Sequence, residues 1–176
     1  MSAHLQPAIG SHDHIQGPPG APIQLVEYGD YQCSYCGEAY PAVKAAQQAL
    51  GDKLEFVFRN FPLPDVHPHA QHAALAAEAA ARQGKFWQMH DALYEHQNQL
   101  DDQHLAGFAQ RLGLDVERFK QDMQSQAVAD KVEADFESGI RSGVNGTPSF
   151  FVNGQKFDGD WQGQGLTEFL QSQPVR

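Results

Sequence analysis

Hydrophobic and polar positions follow two kinds of pattern along this chain, one typical of strands and one typical of helices. Short apolar runs at residues 23–28 and 54–58 are bounded by turn residues and predict buried strands. Between them, residues 33–50 carry apolar side chains at helical spacing and end at Gly51, which predicts a helix. A strand, a helix and a strand in this order predict a βαβ unit with parallel strands and a right-handed crossover.

From residue 64 to residue 142 the apolar positions recur only at helical spacing, and five helices are predicted. Pro68 and Gly84 bound the first of these helices, Gly113 ends the third, and Asp115 caps the fourth. The fifth carries a stripe that we expect to face a core, made of Val128, Val132, Phe136 and Ile140.

Strand character returns at residues 149–152, and Asn153-Gly154 then predicts a type I′ hairpin to an antiparallel strand at 155–157. Leu166, Phe169 and Leu170 mark a last helix. The expected fold class is therefore α/β, with an all-helical insertion between a βαβ half and a ββα half. The predicted segments are an extended N-terminal arm at 1–22, the βαβ half at 23–63, the helical insertion at 64–142 and the ββα half at 143–176.

Composition and charge narrow the range of partners. The 176 residues are 41% hydrophobic with 11 Phe, enough for a core without disulfides. The formal charge of −10 argues against nucleic acid or an anionic membrane surface as a partner. No apolar run reaches the roughly 18 residues that a membrane span needs. No secretory signal is visible in the first twenty residues. We therefore expect a cytoplasmic protein, or a periplasmic or extracytoplasmic one if a signal has been removed.

The chain has two cysteines, and they form the motif Cys33-Ser34-Tyr35-Cys36 at the first strand-to-helix junction. A helix that begins at Cys33 lowers the pKa of this thiol, and the thiolate is the species that attacks disulfides. We interpret the pair as a catalytic dithiol with Cys33 as the nucleophile. A metal half-site is the alternative, but it needs two more ligands. The one dense histidine cluster is His67, His69 and His72, and we expect no metal.

The order of elements resembles the thioredoxin fold, because Cys-x-x-Cys stands at the first strand–helix turn and Gly146-Thr147-Pro148 precedes the third strand. The long helical block resembles in particular the disulfide-bond formation protein A (DsbA) family. Further local matches are Glu27 six residues before Cys33, the run from Gly146 to Gly154, and Lys85-Phe86-Trp87 at the start of an inserted helix. The stretches 67–69 and 86–91 are most similar to the bacterial branch with FrnE-type members.

This resemblance implies a thiol:disulfide oxidoreductase that exchanges disulfides with protein or peptide thiols. The cysteine pair carries the two electrons, so no cofactor is expected, and a redox recycling partner is implied without being identified. The resemblance also implies that the Thr147–Pro148 bond is cis, in a loop against the dithiol. An extended peptide could pair there with the backbone of Thr147.

Glu27 is the third predicted catalytic residue. It shares a strand face with Ile23 and Leu25, so we expect it to point inward. The family's buried acid implies that Glu27 has a raised pKa and relays the proton of Cys36.

Ser34 and Tyr35 are predicted to contact substrate and to set the redox poise. The resemblance implies a histidine in DsbA at the position of Tyr35, and tyrosine brings no charge near neutral pH. We therefore expect a less oxidising disulfide, and the direction of electron flow stays open. Two alternatives remain: a glutathione-dependent isomerase or transferase, which usually keeps a single serine or cysteine at this turn, and a non-catalytic peptide-binding module.

Overall fold

The computed structural model describes residues 3–174. The first two residues of the predicted N-terminal arm and the last two residues of the predicted ββα half therefore lie outside the described residues. From residue 23 onward, strands and helices follow the predicted order along the chain. The strands are β1 (His14–Gln16), β2 (Ile23–Gly29), β3 (Leu54–Asn60), β4 (Ser149–Val152) and β5 (Gln155–Phe157). The helices are α1 (Ser34–Leu50), α2 (Ala70–Ala81), α3 (Phe86–Glu95), α4 (Asp102–Arg111), α5 (Val116–Met123), α6 (Gln126–Arg141) and α7 (Gly165–Gln171), with a short 3-10 turn at Gly51–Lys53.

The strands form one mixed sheet in the order β1-β3-β2-β4-β5. Strand β4 pairs antiparallel with both β2 and β5, and the turn between β4 and β5 confirms the predicted hairpin. Asn153 and Gly154 both have positive φ, as a type I′ turn requires. The α/β fold class predicted from the sequence is confirmed.

Strand β1 was not predicted, because the sequence indicated only an extended arm over residues 1–22. It pairs antiparallel with β3, and Asp13 just before it accepts two hydrogen bonds of 2.9 Å from the Arg59 guanidinium. Burial alone would lower the pKa of Arg59, but the hydrogen bonds to Asp13 and Tyr28 raise it above its usual value. The arm is therefore fixed to the sheet by a buried ion pair that hydrophobic patterning does not reveal.

The helical stretch follows the predicted signals with two differences. The Asp115 side chain caps α5 by accepting a hydrogen bond of 3.1 Å from the Arg118 N–H, as predicted. Ile140 was expected to face a core and is instead 56% exposed, so that part of the stripe was wrong. The helical spacing of Phe86, Met89, Leu93, Tyr94 and Leu100 predicts one helix, but α3 ends at Glu95, before the buried Leu100. None of the helices in residues 3–174 has the length and apolar character required to cross a bilayer.

Contacts within the chain define two compact units. The sheet unit comprises residues 3–29, 38–59 and 137–174. The helical unit comprises residues 30–37 and 60–136. Residues 30–37, which we call the dithiol turn because they contain both cysteines, thus belong to the same unit as α2 to α5.

A buried polar cluster in the helical unit joins the end of β3 to α2 and α6. The side-chain amide of Asn60 donates hydrogen bonds of 2.9 Å to both Glu78 and Asp135, and the Asn60 backbone N–H also donates to Asp135. Lys131 lies 2.7 Å from Asp135. Burial raises the pKa of Asp135 above the ordinary 3.8, and the nearby Glu78 raises it further, although Lys131 and the Asn60 N–H act in the opposite direction.

This cluster gives the stability of the protein a defined dependence on pH. Because the folded-state pKa of Asp135 is raised, the folded protein binds more protons than the unfolded chain just above pH 3.8. The contribution of Asp135 to the free energy of unfolding is therefore full below the unfolded-state pKa and falls as pH rises through the folded-state pKa. In urea unfolding from pH 3.5 to 7, the free energy of unfolding of wild type should fall relative to that of Asp135→Asn as pH rises.

Asp130→Asn is the matched control, because Asp130 lies exposed on the same helix. A difference between wild type and Asp135→Asn that does not change with pH would contradict this account.

Candidate active site

The two cysteines lie at the start of α1. Strand β2 ends at Gly29, and Cys33 directly precedes Ser34, the first residue of the helix. Cys33 is 6% exposed and Cys36, one turn further along, is completely buried. Tyr35 between them is 58% exposed. The turn therefore presents Tyr35 and the exposed Ser34 to solvent, with Cys33 nearer the surface than Cys36.

Backbone hydrogen bonds hold both cysteines. The Cys33 N–H donates to the carbonyl of Asp30 at 3.1 Å, and the Cys33 carbonyl accepts from the Gly37 N–H at 3.1 Å, which is the first hydrogen bond of the helix. The Asp30 N–H donates to the Cys36 sulfur at 3.5 Å. A donor at this sulfur favours the thiolate over the neutral thiol.

The Asp30 carboxylate is the polar centre of the dithiol turn. Its side chain is completely buried. Its Oδ1 accepts a hydrogen bond of 2.8 Å from the Gln32 N–H and its Oδ2 accepts one of 3.0 Å from the Leu63 N–H, and His67 Nδ1 lies 2.8 Å from the same Oδ2. The carboxylate thus joins the dithiol turn to the segment that leads into α2.

Two further contacts fix the turn within the helical unit. The side-chain amide of Gln97 donates to the carbonyls of Tyr31 at 2.9 Å and Cys33 at 2.8 Å. The ring of Tyr31 is buried, with its centroid 4.8 Å from that of Tyr94 and 5.7 Å from that of His90.

The three histidines considered as metal ligands each take part in a hydrogen bond. His67 contacts Asp30, the His69 N–H donates to the Gln32 side chain at 2.7 Å, and His72 contacts Asp102 at 2.7 Å. Among residues 3–174, no three His, Cys, Asp or Glu side chains group closely enough to hold a metal ion.

Glu27, the predicted proton relay, lies in the sheet unit. It is 2% exposed and stands in β2 opposite Phe150 of β4. Its inward orientation agrees with the pattern on β2. Its role in proton transfer stays a prediction.

Thr147 and Pro148 also lie in the sheet unit, directly before β4, and the peptide bond between them is cis. A cavity of about 320 Å³ opens beside them. It is lined by residues 145–149, by residues 156–159 and by Trp161. The lining residues include the charged Lys156 and Asp158 and the aromatic Phe157 and Trp161.

The structure adds Asp30 and Gln97 to the residues expected from the sequence. Asp30 had a local signal, because an aspartate that accepts a hydrogen bond from the N–H two residues later forms a common turn motif. Gln97 had none, since it lies in a polar loop between α3 and α4 and contacts Cys33 across 64 residues of sequence.

Comparison with known proteins bears on the fold. The family model described as thioredoxin matches residues 10–172. The structure of a thioredoxin-like oxidoreductase from Silicibacter pomeroyi superimposes with a TM-score of 0.80 at 28% identity, covering 92% of this chain and 90% of that one. Oxidised BdbD from Bacillus subtilis shares the fold with a TM-score of 0.82 at 23% identity, covering 97% of this chain and 96% of that one. The thioredoxin-like fold predicted from the sequence is confirmed.

The sequence is also similar to part of a larger kind of protein. The Na(+)/H(+) antiporter NhaA 1 of Salinispora arenicola is 44% identical over 170 residues, which cover 96% of this chain and 26% of the antiporter. The chain thus spans about a quarter of the length of the curated relatives it matches.

Proposed function

The chain belongs to the thioredoxin family over residues 10–172, and from this premise we propose that it is a thiol:disulfide oxidoreductase whose Cys33 and Cys36 alternate between dithiol and disulfide. One observation carries the proposal: Cys33 directly precedes the first turn of α1, and the buried Cys36 sulfur accepts an N–H one turn further on. The first N–H groups of a helix lack partners within the helix, and together with the helix dipole they favour a thiolate. An attacking sulfur and a resolving sulfur are therefore held in different environments.

The proposed reaction transfers two electrons from a substrate dithiol to the pair. A substrate thiolate attacks the Cys33 sulfur, the Cys33–Cys36 bond breaks, and Cys36 leaves as a thiolate that the Asp30 N–H stabilises. The second substrate thiolate then attacks the substrate sulfur of the mixed disulfide, and Cys33 leaves. The substrate becomes a disulfide, and protons from its thiols pass to the reduced pair. Glu27 is our proposed relay for the Cys36 proton, and in reverse the same steps reduce a disulfide.

We assign substrate binding to the loop at Thr147–Pro148 and to the exposed side chains of Ser34 and Tyr35. The cavity beside Thr147 is lined by polar residues, and Phe157 and Trp161 offer aromatic surfaces. An extended peptide of a protein substrate has the matching chemistry. Retention of both cysteines favours this role over that of a glutathione-dependent isomerase or transferase.

The antiporter relatives favour a second, narrower candidate: a redox module whose partner is a sodium/proton antiporter. The favouring observation is that the 44% identical stretch occurs inside proteins with that name. An antiporter would then be the thiol substrate or the recycling partner.

Cytoplasmic and extracytoplasmic locations both stay predictions. The partners captured in the trapping experiment below discriminate between the two locations.

Trapping of mixed disulfides tests the proposed function. In Cys36→Ser the resolving thiol is lost, so we expect Cys33 to accumulate disulfide-linked partners that a reducing agent releases. Non-reducing electrophoresis followed by mass spectrometry measures this, and an antiporter among the partners would support the narrower candidate.

Cys33→Ser is the matched control, since it keeps Cys36 and should trap nothing. If folded Cys36→Ser also forms no adduct while wild type still binds partners, the non-catalytic peptide-binding module replaces our proposal.

Tyr35 supplies a test of the redox poise. An imidazolium beside Cys33 stabilises the thiolate and hence the reduced pair, so Tyr35→His should make the disulfide more oxidising. We expect the equilibrium constant with glutathione at pH 6 to shift toward the reduced protein by about tenfold, or about 30 mV. Tyr35→Phe brings no charge and should stay close to wild type. A histidine variant that is equally or less oxidising than the phenylalanine variant would contradict the assignment of Tyr35.

A further inference from the structure

Gln97 contacts the dithiol turn at the residue that carries the attacking sulfur. Its side-chain nitrogen has two hydrogens, and both are used: one donates to the Tyr31 carbonyl at 2.9 Å and the other to the Cys33 carbonyl at 2.8 Å. The Cys33 N–H is held by the Asp30 carbonyl at 3.1 Å. Both backbone polar groups of Cys33 therefore have fixed partners, and only side-chain rotation can move its sulfur.

Gly37 provides the space that this contact needs. A Cβ atom at Gly37 would lie 2.1 Å from Gln97 Oε1 and 2.7 Å from its Cδ, well inside van der Waals contact. Gly37 lies within helix α1, where alanine has the better helix propensity. The close approach of Gln97 therefore gives this helical position a steric reason to hold glycine.

The two amide hydrogens also change the electrostatics around Cys33. The carbonyl oxygens of Tyr31 and Cys33 carry partial negative charge, which disfavours a thiolate nearby. The Gln97 hydrogens place partial positive charge at these oxygens and offset part of that effect. Removing the amide should therefore disfavour the thiolate and leave the backbone of Cys33 less fixed.

We propose that Gln97 is a positioning residue for Cys33. Through its hydrogen bonds to the carbonyls of Tyr31 and Cys33, it fixes the backbone that carries the Cys33 thiol and favours the thiolate form. The proposal rests on the proposed function, since it concerns the reactivity of that same thiol. It adds a residue outside the Cys-x-x-Cys motif to those that set the chemistry of the pair.

The first test compares Gln97→Ala with wild type in the reduced state. Iodoacetamide labelling of Cys33, located by mass spectrometry, should show a higher pH midpoint in the variant. Turnover of a peptide dithiol should fall in kcat by about threefold to tenfold, the effect of losing one or two net hydrogen bonds, with little change in KM. Gln83→Ala is the matched control, because its side chain likewise bridges two backbone groups, the N–H and carbonyl of Asp115, and does not contact the dithiol turn.

The second test is a double-mutant cycle with Gly37. The methyl group of Gly37→Ala must displace the Gln97 amide, so this variant should show the same shift in the labelling midpoint as Gln97→Ala. The variant with both changes should be no more impaired than Gln97→Ala, because the displaced group is already absent. Gly37→Ala introduces a residue with a better helix propensity and so remains informative if Gln97→Ala does not fold.

Labelling midpoints in Gln97→Ala and Gly37→Ala that match wild type would overturn the proposal, as would effects that multiply in the double variant. These outcomes are distinguishable from failure of the proposed function. If wild type exchanges no disulfides the oxidoreductase assignment fails, whereas the labelling midpoint still reports whether Gln97 acts on Cys33.

Discussion

The buried carboxylate of Asp30 is the constraint on which the geometry of the dithiol turn depends. A carboxylate with no exposure must be compensated by several donors, and here they come from Gln32 within the turn and from Leu63 and His67 beyond β3. The backbone of Asp30 in turn donates to the Cys36 sulfur and accepts from the Cys33 N–H. Compensation of one buried charge therefore determines where both sulfurs lie relative to the start of α1.

The sheet unit contains a buried cation that is also compensated by hydrogen-bonding partners. Arg59, only 3% exposed in its side chain, is compensated by Asp13 from the N-terminal arm and by the Tyr28 hydroxyl. Buried ion pairs are weak evidence for stability, since desolvation offsets most of their attraction. Their effect is on geometry, because a misplaced arm would leave Arg59 buried without its partner. Each unit thus contains a buried charged group whose compensation requires a particular arrangement of chain segments distant in sequence.

The difference between contacts among neighbouring residues and contacts between distant segments explains which features the sequence could predict. The hairpin at Asn153-Gly154 and the Asp115 cap depend on neighbouring residues, so local signals identified them correctly. Strand β1 depends on an ion pair between residues 13 and 59, and hydrophobic patterning carries no information on such a contact. Ile140 fits a helical stripe but lies on the exposed face of α6, whereas the neighbouring Ser138 and Ser142 are buried. Gln97 was missed because a hydrogen bond to a distant carbonyl leaves no periodic trace in the sequence.

Burial also separates the residues that fix the position of the cysteine pair from those that we propose adjust its redox potential. Asp30 cannot be changed without leaving backbone donors unsatisfied in the interior, which costs about 1–3 kcal/mol for each group. Ser34 and Tyr35 are exposed, and substitutions at such positions usually change stability by about 0.5 kcal/mol or less. The charge next to Cys33 can therefore vary while the turn stays intact. Under the proposed function, such a fold would act as an oxidant or as a reductant with the same buried contacts, because substitutions at Ser34 and Tyr35 change the charge beside Cys33 at little cost in stability.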